Sequence, residues 1–318
     1  MQAKTPPQRL ITVTGVIEPS QARVTDAHNH VWIEAVTGAV HPGPVLDDRD
    51  AITRELQDFH IAGGSTIVDC QPGGCGRNGR VMQALSEASQ VNIIAATGYH
   101  LRRYYPEDFW LFQSSAQAAY QYFLDELTKG LTETQNSQLP VQAGFIKIAC
   151  EESLLKSPLH LMEAAVQTSL ETGAALEVHT EKGADVENII NALYNYGLST
   201  DRLVLCHVDK RADFGFHRAM AQEGILLEYD TFYRPKYHPE ENVWLLLGSM
   251  VEAGFGSQIC LATDMADARM WARLGEGPGL TGLMEDIIPR LAAYGFEAPI
   301  INQLTGDNIT RWLSRPIH

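Results

Sequence analysis

Short apolar and β-branched runs punctuate the chain: RVTDAHN (23–29), STIVDC (65–70), VNIIAATG (91–98), AGFIKIAC (143–150), AALEVHT (174–180), RLVLCHV (202–208), GILLEYD (224–230) and SQICLATD (257–264). Each has strand length, and most are too continuously apolar for a strand with one wet face, which is how strands covered on both sides read. The intervening segments carry apolar residues at helical spacing, as in 48–64, 157–174, 185–200 and 242–256. Several of them end in glycine, which tolerates the left-handed conformation of a helix C-cap. Alternation of strand and helix predicts an α/β chain with a parallel sheet. Eight such units predict that the sheet closes into a (β/α)8 TIM barrel.

The alternative is an open doubly wound sheet. Against it, no GxGxxG opens a helix after the first strand, and the Gly-rich QPGGCGRNGR (71–80) lacks the lysine of a phosphate-binding loop. That stretch is expected to be a flexible loop. Residues 1–22 precede the first barrel strand and predict a short β-hairpin rather than a separate unit, so one domain is expected over 1–318. The longest interruptions, YHLRRYYPEDFW (99–110) and YDTFYRPKYHPEEN (229–242), are rich in aromatic and basic residues and are expected at the C-terminal mouth of the barrel.

Composition narrows the partners. A formal charge of −15 without a long basic run disfavours nucleic acid and anionic membrane surfaces. The five cysteines are odd in number, scattered and without a CxxC pair, which argues against a disulfide framework and for a reducing compartment. No signal-type or membrane-spanning apolar segment is evident, so a cytoplasmic location is expected, with a small molecule as the partner. Self-association to a homodimer stays open.

The candidate chemistry sits at strand ends. His28 and His30 in DAHNH stand two apart, so in a strand their imidazoles share a side. His179 ends the fifth run, His207 the sixth and Asp264 the eighth, where a barrel of this kind places its active site. Four histidines and an aspartate converging there make a metal site a better reading than independent accidents. Lys147 lies within the otherwise apolar fourth run, GFIKIACEE. A buried ammonium is costly, so Lys147 either pairs with an acid such as Glu177, reaches the rim, or reacts with carbon dioxide to become an anionic carbamate between two cations.

This ordered set resembles the amidohydrolase superfamily, and within it the phosphotriesterase-like group, over nearly the whole chain. The resemblance implies a binuclear centre of two divalent ions, usually zinc, with manganese or cobalt as alternatives. His28, His30 and Asp264 would hold one ion and His179 and His207 the other, with carboxylated Lys147 bridging them. It implies hydroxide attack on an ester, with Asp264 taking and returning the proton. Asp209, two residues beyond His207, is expected to orient a ligand or relay that proton. Lys210 stands where several relatives carry an acid, and Asp307-Asn308 replaces a frequent Asn-Pro.

The loops should choose the substrate. Tyr99, Arg102, Arg234, Lys236 and Arg269 are expected to contact it, because guanidinium and ammonium groups over the mouth of an acidic protein favour an anionic ligand. The stretch DMADARMWARLGEGPGL (264–280) resembles lactone-hydrolysing members of the group, including those acting on phosphorylated sugar lactones. Lactone hydrolysis is therefore expected ahead of phosphotriester or other amide and ester hydrolysis. Two further readings are a non-catalytic metal-binding barrel and a metal-free enzyme using Lys147 as a Schiff-base nucleophile.

Overall fold

A computed structural model describes residues 8–316. Eight parallel strands follow one another round a barrel: β3 (Val24–Asn29), β4 (Gly64–Asp69), β5 (Asn92–Gly98), β6 (Phe145–Ala149), β7 (Leu176–His179), β8 (Leu203–Cys206), β9 (Leu226–Tyr229) and β10 (Ile259–Leu261), each paired with its chain neighbour. The Asp264 N–H donates to the His28 carbonyl at 3.0 Å, joining the segment beyond β10 to β3. The expected hairpin is present as β1 (Gln8–Thr12) and β2 (Gly15–Ile17), and the C-terminal β11 (Arg315–Pro316) pairs with β1. Residues 1–7 of the expected hairpin segment lie outside the described residues.

Two-residue alternation sorts the strands' side chains. Ile146, Ile148, Leu176, Val178, Leu203, Leu205, Leu227 and Leu261 pack in the layer shared with the helices. Phe145, Val204, Cys206, Leu226 and Cys260 form the second cluster, inside the barrel. By the same alternation Lys147, Glu177 and Glu228 fall on the inner side, and all three are fully buried. A barrel interior normally filled by branched apolar residues here carries charge, which is expected only where function retains it.

Two expectations need correction. The strands are shorter than the apolar runs, so His30 follows the end of β3, His207 that of β8 and Asp264 that of β10. His207 and Asp264 adopt left-handed backbone angles, φ 64° and 46°, a conformation that costs a non-glycine residue energy and tends to be kept at functional sites. The Gly-rich stretch 71–80 is anchored rather than loose. Arg77, within it, is buried and donates to both oxygens of Glu126 and both of Glu133, so this segment is clamped beneath its glycines.

Candidate metal and active site

A cavity of about 150 Å³ opens at the C-terminal ends of the strands, lined by His28, His30, His100, His179, His207 and Asp264. Imidazole ring centres are 4.7 Å apart for His28 and His207, 4.6 Å for His179 and His207, and 5.6 Å for His28 and His30. Donor atoms of His28, His30 and Asp264 all lie within 4.8 Å of one another, close enough to share one ion. The structure thus brings together the histidines and aspartate picked out at four separate strand ends.

Each imidazole is held by a partner on its far nitrogen. His28 Nδ1 faces the Glu228 carboxyl at 3.0 Å, and His30 Nδ1 donates to Gln71 Oε1 at 2.7 Å. His207 Nδ1 makes a short contact with Asp230 Oδ2. His179 Nε2 faces Glu181 Oε1 at 3.2 Å, leaving its buried Nδ1 without a hydrogen-bond partner. Such outer partners fix which nitrogen offers a lone pair and sharpen its basicity. Burial, reinforced by the Lys147 charge, holds His28 far below the usual histidine range and His30 down to about 3. Burial likewise lowers His179 and His207. All four are therefore neutral, the form a metal ion requires.

Lys147 is fully buried, and its Nζ donates to His28 Nε2 at 2.9 Å. It sits opposite Glu177 in the β6–β7 register, and that carboxylate accepts from the Cys70 thiol at 3.2 Å. Burial raises Glu177 to about 7 while the Lys147 charge lowers it, and for Lys147 the opposing effect of burial is outweighed by Cys70, Cys206 and Glu177. The Lys147 nitrogen thus stands among metal-type donors, hydrogen-bonded to His28 with Glu177 across the register. The orphaned His179 nitrogen, the neutral imidazoles and this amine together fit a divalent pair.

Asp209 does not reach the cavity. Its Oδ2 accepts from the Asp230 N–H at 3.0 Å, the Thr231 N–H at 2.8 Å and the Thr231 hydroxyl at 2.7 Å, so it anchors the turn after β9. Burial, and then repulsion from Asp230, raises it to about 7. The carboxylate touching His207 is Asp230 instead.

The residues expected to bind substrate are dispersed. Tyr99 is fully buried against Phe112 and absent from the cavity wall; its neighbour His100 lines the cavity, with its ring 5.1 Å from that of His179. Arg102 turns to the carbonyls of Pro106 and Glu107, Arg269 pairs with Asp267 in solvent, and Lys236 is exposed with its Nζ 4.9 Å from the Tyr237 ring. Arg234 alone meets the site, donating to Asp264 Oδ2 at 2.9 Å and to the Asp264 carbonyl. The wall away from the histidines includes Ile33, Glu34, Ala35, Val36, Gly43, Pro44 and Tyr104, most of it from the long segment after β3.

His100, Gln71, Glu228 and Asp230 were missed. The strand-end rule that singled out His179 applies equally to His100, two residues past β5. Glu228 carried the same signal as Lys147, a charge on an apolar strand. Gln71 and the covering segment 33–44 had no such mark, because only tertiary contact gives them a role.

Comparison with known proteins follows this geometry. The model of the phosphotriesterase family matches residues 8–313. A phospho-furanose lactonase from Mycoplasmopsis synoviae (strain 53) is 27% identical, over 95% of this chain and 91% of that protein. An N-acetyltaurine hydrolase from Salmo salar is 23% identical, over 95% of this chain and 97% of that one. The crystal structure of a lactonase from Listeria monocytogenes shares the fold with a TM-score of 0.86 and 23% identity, covering 96% of this chain and 98% of the other.

Proposed function

The chain belongs to the phosphotriesterase family, and from that premise we propose that it is a binuclear metal-dependent hydrolase that opens a lactone, with phosphorylated sugar lactones the favoured class. The observation that carries the proposal is the ring of four neutral imidazoles and Asp264 about one cavity, with Lys147 hydrogen-bonded to His28 behind it. In this reading His28, His30 and Asp264 would hold one ion and His179 and His207 the other, with Lys147, as its carbamate, a further ligand. Zinc is the expected metal, with manganese or cobalt able to substitute. When bound, such a pair supplies hydroxide near neutral pH and polarises the ester carbonyl.

The chain's own groups do the rest. Asp264 accepts the proton of the attacking water and returns it to the ring oxygen that leaves. Its carboxyl is held below the usual range although burial opposes this, with Arg234 and Lys210 as the cations that favour its ionised form. Glu228, Gln71 and Asp230 keep the imidazoles in one tautomer and one orientation. Ile33, Ala35, Val36 and Pro44 of the segment 33–44 line the cavity beside Glu34 and limit water around the reacting carbonyl. His100 stands beside His179 as a neutral hydrogen-bonding group for the substrate.

The relative from Mycoplasmopsis synoviae supports a phosphorylated furanose lactone. The deciding experiment is a panel of lactones, with and without a phosphate, assayed on enzyme reconstituted with zinc or manganese. Activity confined to amides or phosphotriesters overturns the proposal. Lys147→Ala is expected to lose metal and activity together, with partial rescue by a short carboxylic acid; unaltered metal content rejects the bridging role.

A further inference from the structure

The far end of the barrel holds a second cavity, of about 440 Å³, that no step of the hydrolysis uses. It lies where strands begin rather than end. Gln142 precedes β6, Gly173 precedes β7 and Arg202 precedes β8, with the last turns of the helices Ala116–Thr128 and Leu159–Thr172 beside them. Ile11 of β1 and Arg315 and Pro316 of β11 complete the wall, and this cavity shares no residue with that of His28 and Asp264.

Arg315 is only 5% exposed, and its Nε has no hydrogen-bond partner. Burial lowers its guanidinium to about 10, and no carboxylate among the described residues opposes that shift. Its Nη2 donates to the Leu127 carbonyl at 3.1 Å, which caps the helix Ala116–Thr128. Capping uses one of five N–H donors and leaves the charge unpaired. A guanidinium out of water without a counter-ion costs free energy, and an idle buried donor points to a missing acceptor. Arg202 lies on the same wall, partly buried, with one side-chain hydrogen bond among the described residues, Nη1 to the Ser314 carbonyl at 3.3 Å. Two arginines thus line one cavity in a chain of net charge −15. Glu171, the one acid among the described residues of this wall, is exposed and accepts from the Tyr120 hydroxyl.

We propose that this cavity binds a small organic anion, its carboxylate or phosphate oxygens bridging Arg315 and Arg202 and its apolar body lying on Ile11, Leu124, Leu127 and Pro316. Guanidinium groups pair with such oxygens in forks, which employs the idle Nε and supplies the missing counter-charge. A bare inorganic anion leaves the apolar part of the wall unused. Because β1, β11 and both helices meet here, the occupant joins the two ends of the described chain to the barrel. It stabilises the fold by binding the folded state alone.

The test uses the full chain with its metal, titrated with hexanoate, hexyl phosphate, hexanol and inorganic phosphate and read by calorimetry and thermal melts. Hexanoate and hexyl phosphate should bind and raise Tm to a plateau, the tighter of the two identifying the head group. Hexanol and inorganic phosphate should bind at least about tenfold more weakly. Arg315→Gln and Arg202→Gln should each weaken hexanoate at least about tenfold, the loss expected for a charge-assisted pair, and keep the wild-type metal content. Arg202 is partly exposed, so Arg202→Gln decides the matter where Arg315→Gln does not fold. Undiminished hexanoate binding in these variants assigns it to the metal centre and overturns the site. Inorganic phosphate bound as tightly as hexyl phosphate overturns the apolar subsite. A chain lacking residues 317–318 should bind hexanoate within about twofold of the full chain; binding about tenfold tighter would make the chain's own end the occupant and overturn the proposal.

Discussion

Asp230→Asn tests how the site is built, because it should push two measurements in opposite directions. Asp230 lies on the Nδ1 side of His207 and 3.9 Å from Lys210 Nζ, wholly buried. As a carboxylate it makes His207 a stronger ligand; as an amide it keeps the shape and loses the charge. Loss of such a partner weakens metal binding by about 10- to 100-fold, or about 1.4–2.8 kcal/mol. The metal-free protein should respond the other way. Burial and then Asp230 push Glu228 well above the usual carboxyl range, and burial and then Asp230 raise Asp209 to about 7. Removing the charge relieves both, for a gain on the order of 1 kcal/mol, or about 2 °C in Tm for a chain of this size. The assay is a competition titration with a chromophoric chelator, alongside thermal melts of chelated protein. Unchanged affinity for both ions would show that Asp230 does not tune His207. A metal-free variant less stable than wild type would show that Asp230 is a structural pair for Lys210.

Three other outcomes are expected. Gly98→Ala should lose at least about 3 kcal/mol and most of its metal, because the glycine has φ +109° and an added Cβ would sit 1.8 Å from the Lys147 carbonyl; wild-type metal content would refute this. Arg77→Met should cost about 3–5 kcal/mol in chemical denaturation by leaving Glu126 buried and unpaired, and Arg77→Met with Glu126→Leu should recover part of it. His217 is buried and lowered to about 4, chiefly by burial, with its ring bonded to the Tyr229 hydroxyl and the Arg211 carbonyl. Between pH 6.5 and 4 the unfolded chain therefore binds a proton that the folded chain refuses. The stabilisation is present above 6.5 and lost as pH falls, about 3 kcal/mol in all. His217→Gln should flatten that acid limb relative to wild type, and an equal slope in both proteins would refute the assignment.

The sequence by itself determined the architecture and the identity of the chemical groups. Eight apolar runs alternating with amphipathic helices leave a parallel barrel as the economical way to bury both strand faces, and strand ends are fixed points of that barrel. His28, His30, His179, His207 and Asp264 were legible because a barrel converts sequence position at a strand end into proximity. Lys147 was legible because a charge inside an apolar strand has to be explained.

The tertiary structure decided the direction of every side chain that lies off the strands. Asp209 and Asp230 flank the same turn, and no spacing rule says which of them turns to His207; the hydrogen bonds of Thr231 take Asp209 away. The basic residues of the mouth looked alike in sequence, yet only Arg234 lands on Asp264, while Arg102 and Arg269 satisfy themselves locally. Much of the cavity wall comes from a loop segment, 33–44, that nothing in the sequence set apart from other loops. The physical reason is common to all three. Strand geometry is periodic and carries a residue's direction in its number, whereas a loop side chain takes whichever partner folding brings within about 3 Å.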